Sequence, residues 1–174
     1  LGNQPALTDA ATEAMRAWDD LGCGENETTS LCQSRPVQWP RLTTPAEALR
    51  IVAEQWDLTV VGPELPHDLW AATDLGSVRV TTALCAVLSG FDLGYEINAS
   101  ARQVTVRPLN RGSSVERSYP HRTLPPEVRS SLLEKSPAGA APRLSKADSS
   151  WVLRGDATAH QRLAVALLRI GGKR

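Results

Sequence analysis

The sequence has 174 residues, enough for one ordinary domain or two small ones. Hydrophobic residues make up 41% and charged residues 22%, a globular composition that excludes a disordered chain. The 19 basic and 19 acidic residues cancel, so no bulk field draws the chain to nucleic acid or to an anionic membrane, and no apolar run approaches the roughly 20 residues that span a bilayer.

Leu1 opens a polar segment without the charged start and apolar core of a signal peptide, which leaves room for a signal or anchor upstream. Residues 1–21 predict one helix, capped at Thr8 or Asp9, with Leu7, Ala11, Met15 and Trp18 on its docking face. Gly22 and Gly24 end it. Residues 22–36 form a polar loop holding Cys23 and Cys32, and this pair predicts a disulfide formed in an oxidising compartment, the alternative being two free thiols. Zinc is disfavoured because no second ligand pair lies near and the nearest histidine is His67. The third cysteine, Cys85, reads as a small buried hydrophobe.

Val37–Leu42 predicts a strand, which Pro40 confines to an edge or a bulge. Thr44, Pro45 and Glu47 then spell a capped helix start, and Leu49, Val52, Ala53 and Trp56 form its buried stripe. A strand over Leu58–Val61 stops at Gly62-Pro63. His67 beside Asp68 has the residue types of a base with its orienting acid, but no nucleophile motif accompanies them, so the pair reads as a solvated loop. Leu69–Leu75 predicts a strand broken by Gly76. Val78 and Val80 lead into a second helix, with Thr81 or Thr82 near its start, Leu84, Val87 and Leu88 inward and Gly90 at its end. Leu93–Asn98 and Gln103–Arg107 alternate as a hairpin around Ala99-Ser100-Ala101.

An internal echo ties these elements together. Ala48–Val60 aligns with Ala83–Tyr95, placing Leu49 over Leu84, Val52 over Val87, Trp56 over Phe91 and Leu58 over Leu93. Each copy is a helix, a polar break and a strand, which predicts a pseudo-symmetric pair of helices against sheet. Asp57 and Asp92 occupy matching breaks and read as turn residues rather than a catalytic carboxylate pair.

Residues 110–114 form a polar joint. Beyond it come a strand at Val115–Tyr119, a helix at Leu124–Glu134, strands at Ala140–Leu144 and Trp151–Leu153, and a last helix capped by Asp156 with Leu163, Ala164, Leu167, Leu168 and Ile170 as its stripe. The resulting division is an N-terminal helix and cysteine loop over 1–36, a module over 37–109, a linker over 110–114 and a module over 115–174. The fold class is α+β: a βαββαββ module, then a βαββα module.

Catalytic and ligand motifs are missing. There is no GxSxG, HExxH, P-loop, GxGxxG or CxxC, and His67, His121 and His160 are isolated in sequence. The expectation is a protein that is not an enzyme, with no cofactor and no metal. Asn26-Glu27-Thr28 and Asn98-Ala99-Ser100 match glycosylation sequons by pattern alone. The second module's order suits a KH RNA-binding domain, but the GxxG loop that would clamp an RNA backbone is absent.

The phrases ALRIVAEQWDLTVV (Ala48 to Val61), VTTALCAVLSGFDLGYEI (Val80 to Ile97) and QVTVRPL (Gln103 to Leu109) make residues 37–109 resemble the secretin and TonB short N-terminal domain, the STN or N0 domain. WVLRGDATAHQRLAVALLRI (Trp151 to Ile170) makes residues 115–171 resemble the ring-building N1 domain that follows it in secretins. The resemblance implies a periplasmic or cell-envelope location, protein partners, and assembly into a ring or binding to an inner-membrane or periplasmic partner. The alternative it carries is a monomeric signalling or adaptor domain of the TonB-dependent type. A third possibility, of another class, is a small hydrolase or binding enzyme with a site built across the two modules. The 174 residues include no pore domain and no barrel, so a fragment of a pore protein and a freestanding adaptor are both open. Strand edges near Val37–Leu42 and Val104–Arg107 are the expected contact edges, with Glu96, Arg102 and Arg107 on the rim.

Overall fold

Periodic apolar stripes and turn residues resolve into five helices and eight strands among the described residues of the computed structural model, namely 4–23, 29–120, 124–132, 142–147 and 150–171. His121, the sequon at Asn26, the end of the helix expected to reach Glu134, and Ala140 at the start of an expected strand lie outside that set. The chain divides into two compact units, residues 13–109 and residues 1–12 with 110–174.

The first unit is built on β1 (Arg35–Trp39), α2 (Pro45–Gln55), β2 (Thr59–Val61), β3 (Thr73–Val78), α3 (Val80–Leu88), β4 (Leu93–Asn98) and β5 (Gln103–Pro108). The order is βαββαββ. β1 and β3 pair antiparallel as a two-stranded sheet, and β2-β5-β4 make a mixed sheet in which β2 runs parallel and β4 antiparallel to β5. One apolar cluster joins both sheets to both helices: Val37 and Trp39 from β1, Leu49, Val52, Leu84 and Val87 from α2 and α3, and Tyr95, Val104 and Val106 from the mixed sheet.

The start of α2 follows from three residues. The Thr44 hydroxyl accepts the Glu47 N–H at 3.2 Å, and the Glu47 carboxylate accepts the Thr44 N–H at 2.8 Å. This reciprocal pairing satisfies two backbone donors that the first helical turn leaves over. Asp57 and Asp92, the matching breaks of the repeat, both adopt the left-handed conformation, at φ 50° and 55°. Aspartate tolerates that region because its short polar side chain bonds locally.

Four local expectations are corrected. The strand drawn at Leu69–Leu75 begins only at Thr73, because Trp70 is held by an isolated bridge to Thr43. Gly76 does not break that strand. It sits inside β3 at φ 66°, where the β1–β3 register slips by one residue, and a left-handed residue at such a bulge favours glycine. The second helix does not end at Gly90: α3 stops at Leu88 and a 3-10 turn carries the chain to Asp92. Val104–Arg107, expected as an edge, is the centre of its sheet, since β2 pairs on one side and β4 on the other.

The second unit contains β6 (Val115–Tyr119), α4 (Pro126–Leu132), β7 (Arg143–Ala147), β8 (Ser150–Gly155) and α5 (Ala157–Gly171), in the order βαββα. Its antiparallel sheet runs β6-β8-β7, and Leu124, Trp151, Leu153, Ala159 and Leu163 form its core. Asp156 caps α5 by accepting the Ala159 N–H at 2.9 Å. The expected stripe of α5 is narrower than drawn: Leu163 is buried, while Ala164 and Leu168 are exposed.

Helix α1 (Gln4–Asp20) starts ahead of the expected cap, so Thr8 and Asp9 lie within it. Leu7, expected inward, is 56% exposed. The face that packs carries Asp9, Thr12 and Glu13 beside Ala10, Ala17 and Trp18. In the second unit, Asp9 accepts the Gly112 N–H at 3.0 Å and Thr12 accepts the Ala157 N–H at 2.9 Å. Residues 13–36, expected as part of a separate N-terminal segment, belong to the first unit, anchored by Glu13, Ala17, Trp18 and Leu31.

Each core should fail separately. Leu84 and Leu163 are both fully buried, and truncating such a leucine to alanine costs about 2–5 kcal/mol through lost burial and the cavity left behind. Leu84→Ala is expected to lower the stability of residues 13–109, and Leu163→Ala that of the other unit, as read by site-resolved hydrogen exchange.

Candidate functional site

The second half of α1 approaches β4 through one side chain. Glu13 is 1% exposed, and its Oε1 accepts the Tyr95 N–H at 3.2 Å and Arg107 Nη2–H at 2.7 Å, with Arg16 Nη2 3.5 Å away. Gly94 makes this approach possible, because a Cβ there would collide with the Glu13 carboxylate. Arg107 also donates Nε–H to Glu96 at 2.9 Å. Oε1 of the buried carboxylate is thus matched by a half-buried guanidinium and a backbone donor, while Oε2 is buried with no hydrogen-bond partner among the described residues.

Tyr95 lies beneath this contact. Its ring is buried and its hydroxyl donates to the Thr81 carbonyl at 2.8 Å. Burial, followed by the nearby Cys85 and Glu13, raises its pKa well above the ordinary 10.0, against a smaller opposing effect of Arg16. Cys85 is likewise raised above 9.0, first by burial and then by Glu13. Both groups stay protonated where the unfolded chain would ionise.

Arg102 performs a second tethering. In the left-handed conformation at φ 50°, it donates to Ser30 Oγ at 2.8 Å, to the Asp57 carbonyl at 3.2 Å and to the Trp56 carbonyl. The carbonyls at the end of α2 carry the negative end of the helix dipole, so a guanidinium there is well placed. Cys23 and Cys32 are joined as a disulfide with Cα atoms 5.5 Å apart, and they pack with Trp18 and Leu21. The Arg79 guanidinium lies 4.2 Å above the Trp18 ring, and Trp56 Nε1–H donates to the Gln33 carbonyl at 3.0 Å.

Of the three expected rim residues, Arg107 and Arg102 therefore hold the unit together internally. Glu96 is the exposed one, its side chain 66% accessible and tied to Arg107. Sequence reasoning missed Glu13 and Gly94. The available signal was the spacing of Asp9, Glu13 and Ala17, which puts two carboxylates on the same helical stripe as a small apolar residue.

The described histidines are His67 and His160. His67 is exposed, and the Asp68 carboxylate accepts the Leu69 N–H at 2.8 Å and Trp70 Nε1–H at 3.2 Å, engagements that shape its own turn. His160 is buried in the other unit. With Nε2–H assigned to the Val115 carbonyl at 3.0 Å, Nδ1 accepts the Tyr119 hydroxyl at 2.7 Å. Among the described residues no group of three or more His, Cys, Asp or Glu is placed to hold a metal ion, and no helix is long and apolar enough to cross a membrane.

A cleft of about 320 Å³ opens between Arg16, Ala17 and Asp20 of α1 and Tyr95, Glu96 and Ile97 of β4. Beside it, a second of about 590 Å³ runs from Asp20 and Leu21 past Ile97 and Asn98 to the hairpin turn at Ser100. No family model matches the sequence, and no match is found among curated proteins.

Glu13→Ala is expected to destabilise residues 13–109 by about 1–3 kcal/mol, because the Tyr95 N–H loses its acceptor and the half-buried Arg107 keeps only Glu96; chemical denaturation measures this. The unit should also be labile to alkali. For acids whose pKa is raised by folding, the stabilisation is complete below the unfolded values of 9.0 and 10.0 and is lost as pH rises through the folded ones. Cys85→Ala together with Tyr95→Phe should flatten the fall in stability above pH 9, as followed by near-UV circular dichroism.

Proposed function

We propose that this chain is a non-enzymatic protein-interaction module of the cell envelope, of the kind used to assemble a secretin-like outer-membrane secretion or pilus system. The observation that carries the reading is the first unit's architecture: a βαββαββ order in which helices α2 and α3 share one core with two small separate sheets. Among the described residues, such an arrangement leaves β1, β3, β2 and β4 each with one side lacking a strand neighbour. Unpaired strand edges are ready-made templates for a neighbouring chain. The βαββα order of the second unit agrees with the N1 resemblance. The Cys23–Cys32 disulfide suits an oxidising compartment such as the periplasm.

The second reading is a monomeric signalling or adaptor domain. One observation favours it: Arg102 and Arg107, the cations expected at a subunit rim, are engaged inside the unit by Trp56, Asp57, Glu13 and Glu96.

Light scattering after size exclusion, across a wide concentration range, separates the two. The assembly reading expects growth to a closed multimer as concentration rises. A strict monomer at the highest concentration overturns autonomous assembly and leaves the adaptor reading.

A further inference from the structure

We propose that the cleft between the second half of α1 and the free edge of β4 binds an extended, basic segment of a partner protein as an added β-strand. The proposal rests on the interaction reading above and gives that interaction a place and a partner chemistry.

The register of the sheet defines the edge. β4 pairs only with β5, with Tyr95 opposite Val106 and Ile97 opposite Val104. The Tyr95 N–H turns away from β5 to reach Glu13. In an antiparallel pair, backbone groups alternate in direction, so Ile97 turns its N–H and C=O the same way. Those groups have no partner among the described residues. At Ile97 the strand instead borders open clefts walled by Ala17 and Asp20 of α1 and by Leu21 just after it. A strand on one side and a helix on the other, with free backbone groups between them, is the geometry of β-strand addition. The volumes, about 320 and 590 Å³, lie in the range of built ligand sites.

Glu13 sets one end of this groove. It occupies the Tyr95 N–H, so an incoming strand pairs at Ile97 and onward towards Asn98. Charge selects the occupant. Three carboxylates, Glu13, Asp20 and Glu96, face two guanidiniums, Arg16 and Arg107, and both guanidiniums lie within ion-pair distance of Glu13. The surplus is negative. Asp20 and the 66% accessible Glu96 present it to the cleft, while Ala17 and Ile97 offer apolar contact. An extended segment alternating basic and apolar residues meets both demands, since successive side chains in a strand point to opposite faces.

The test uses the intact chain, labelled for amide NMR, and three acetylated, amidated hexapeptides: alternating lysine and valine, the same with glutamate for lysine, and the lysine peptide N-methylated along one edge. The lysine peptide is expected to shift the amides of Asp20, Ile97 and Asn98 saturably and to slow exchange at Ile97. Asp20→Arg should weaken it about five-fold, the upper range for an exposed pair. The N-methylated peptide, which keeps charge but cannot pair, should not bind. Absent shifts, shifts confined to other surfaces, or equal binding by the glutamate or N-methylated peptide would overturn the proposal. A chain that assembles in light scattering yet ignores the lysine peptide loses the cleft and keeps the interaction reading. A chain that does neither loses both.

Discussion

The buried Glu13 carboxylate constrains the first unit more than any other group. An isolated charge inside a protein costs several kcal/mol, so the groups that meet Glu13 Oε1 carry the cost of burying it. Arg107 must come from β5, the Tyr95 N–H must be free of a strand partner, and residue 94 must lack a side chain. Three requirements on three different segments converge on one carboxylate. Apolar replacement of a buried ion pair is often neutral in stability, so the value of this set lies in specificity: it fixes where the second half of α1 lies along β4 and where that strand's exposed edge begins.

Arg102 plays a comparable part at the opposite turn of the hairpin. Its positive φ aims the side chain at carbonyls that close α2 and at Ser30 beside the disulfide. The cysteine loop is thereby tied to the sheet by a hydrogen bond and to α1 by the packing of Cys23 and Cys32 on Trp18. The disulfide closes a short loop, which in the chain-entropy picture contributes about 2.5 kcal/mol by restricting the unfolded chain. Arg102 and Arg107, surface cations by sequence, are internal struts, and the surface that remains for a partner is defined by what they leave uncovered.

Local rules were legible where one segment carries its own explanation. Thr44, Pro45 and Glu47 announce a helix start, and the capping box is present. The alternation around Ala99-Ser100-Ala101 announces a hairpin, and β4 and β5 pair in continuous register from Leu93 to Asn98. Asp57 and Asp92 read as turn residues and take the left-handed conformation that such breaks require. Long-range choices were not legible. Nothing within Val104–Arg107 says that β2 will pair on one side and β4 on the other. Gly76 looks like a terminator by composition, yet a partner strand makes it a bulge. The inner face of α1 is not legible locally, because its polar residues are matched far away in sequence: Asp9 and Thr12 at Gly112 and Ala157 in the second unit, and Glu13 at Tyr95 and Arg107 in the first.

The same long-range matching bears on how a sheet edge can be left available without inviting aggregation. A long, bare, apolar edge is a hazard, and proteins shorten or charge such edges. Here β4 is blocked at Tyr95 by a carboxylate, bordered at Ile97 by a helix carrying Asp20, and closed beyond Asn98 by its own turn, where Asn98 Oδ1 accepts the Ala101 N–H at 3.0 Å. What stays open is short and flanked by negative charge. Such an edge disfavours pairing with its own identical copy, because the carboxylates would face each other, and favours a strand of opposite charge. The device that anchors α1 therefore also biases which neighbour the exposed edge accepts. Both consequences follow from placing one acidic residue on the buried face of a helix, opposite a glycine.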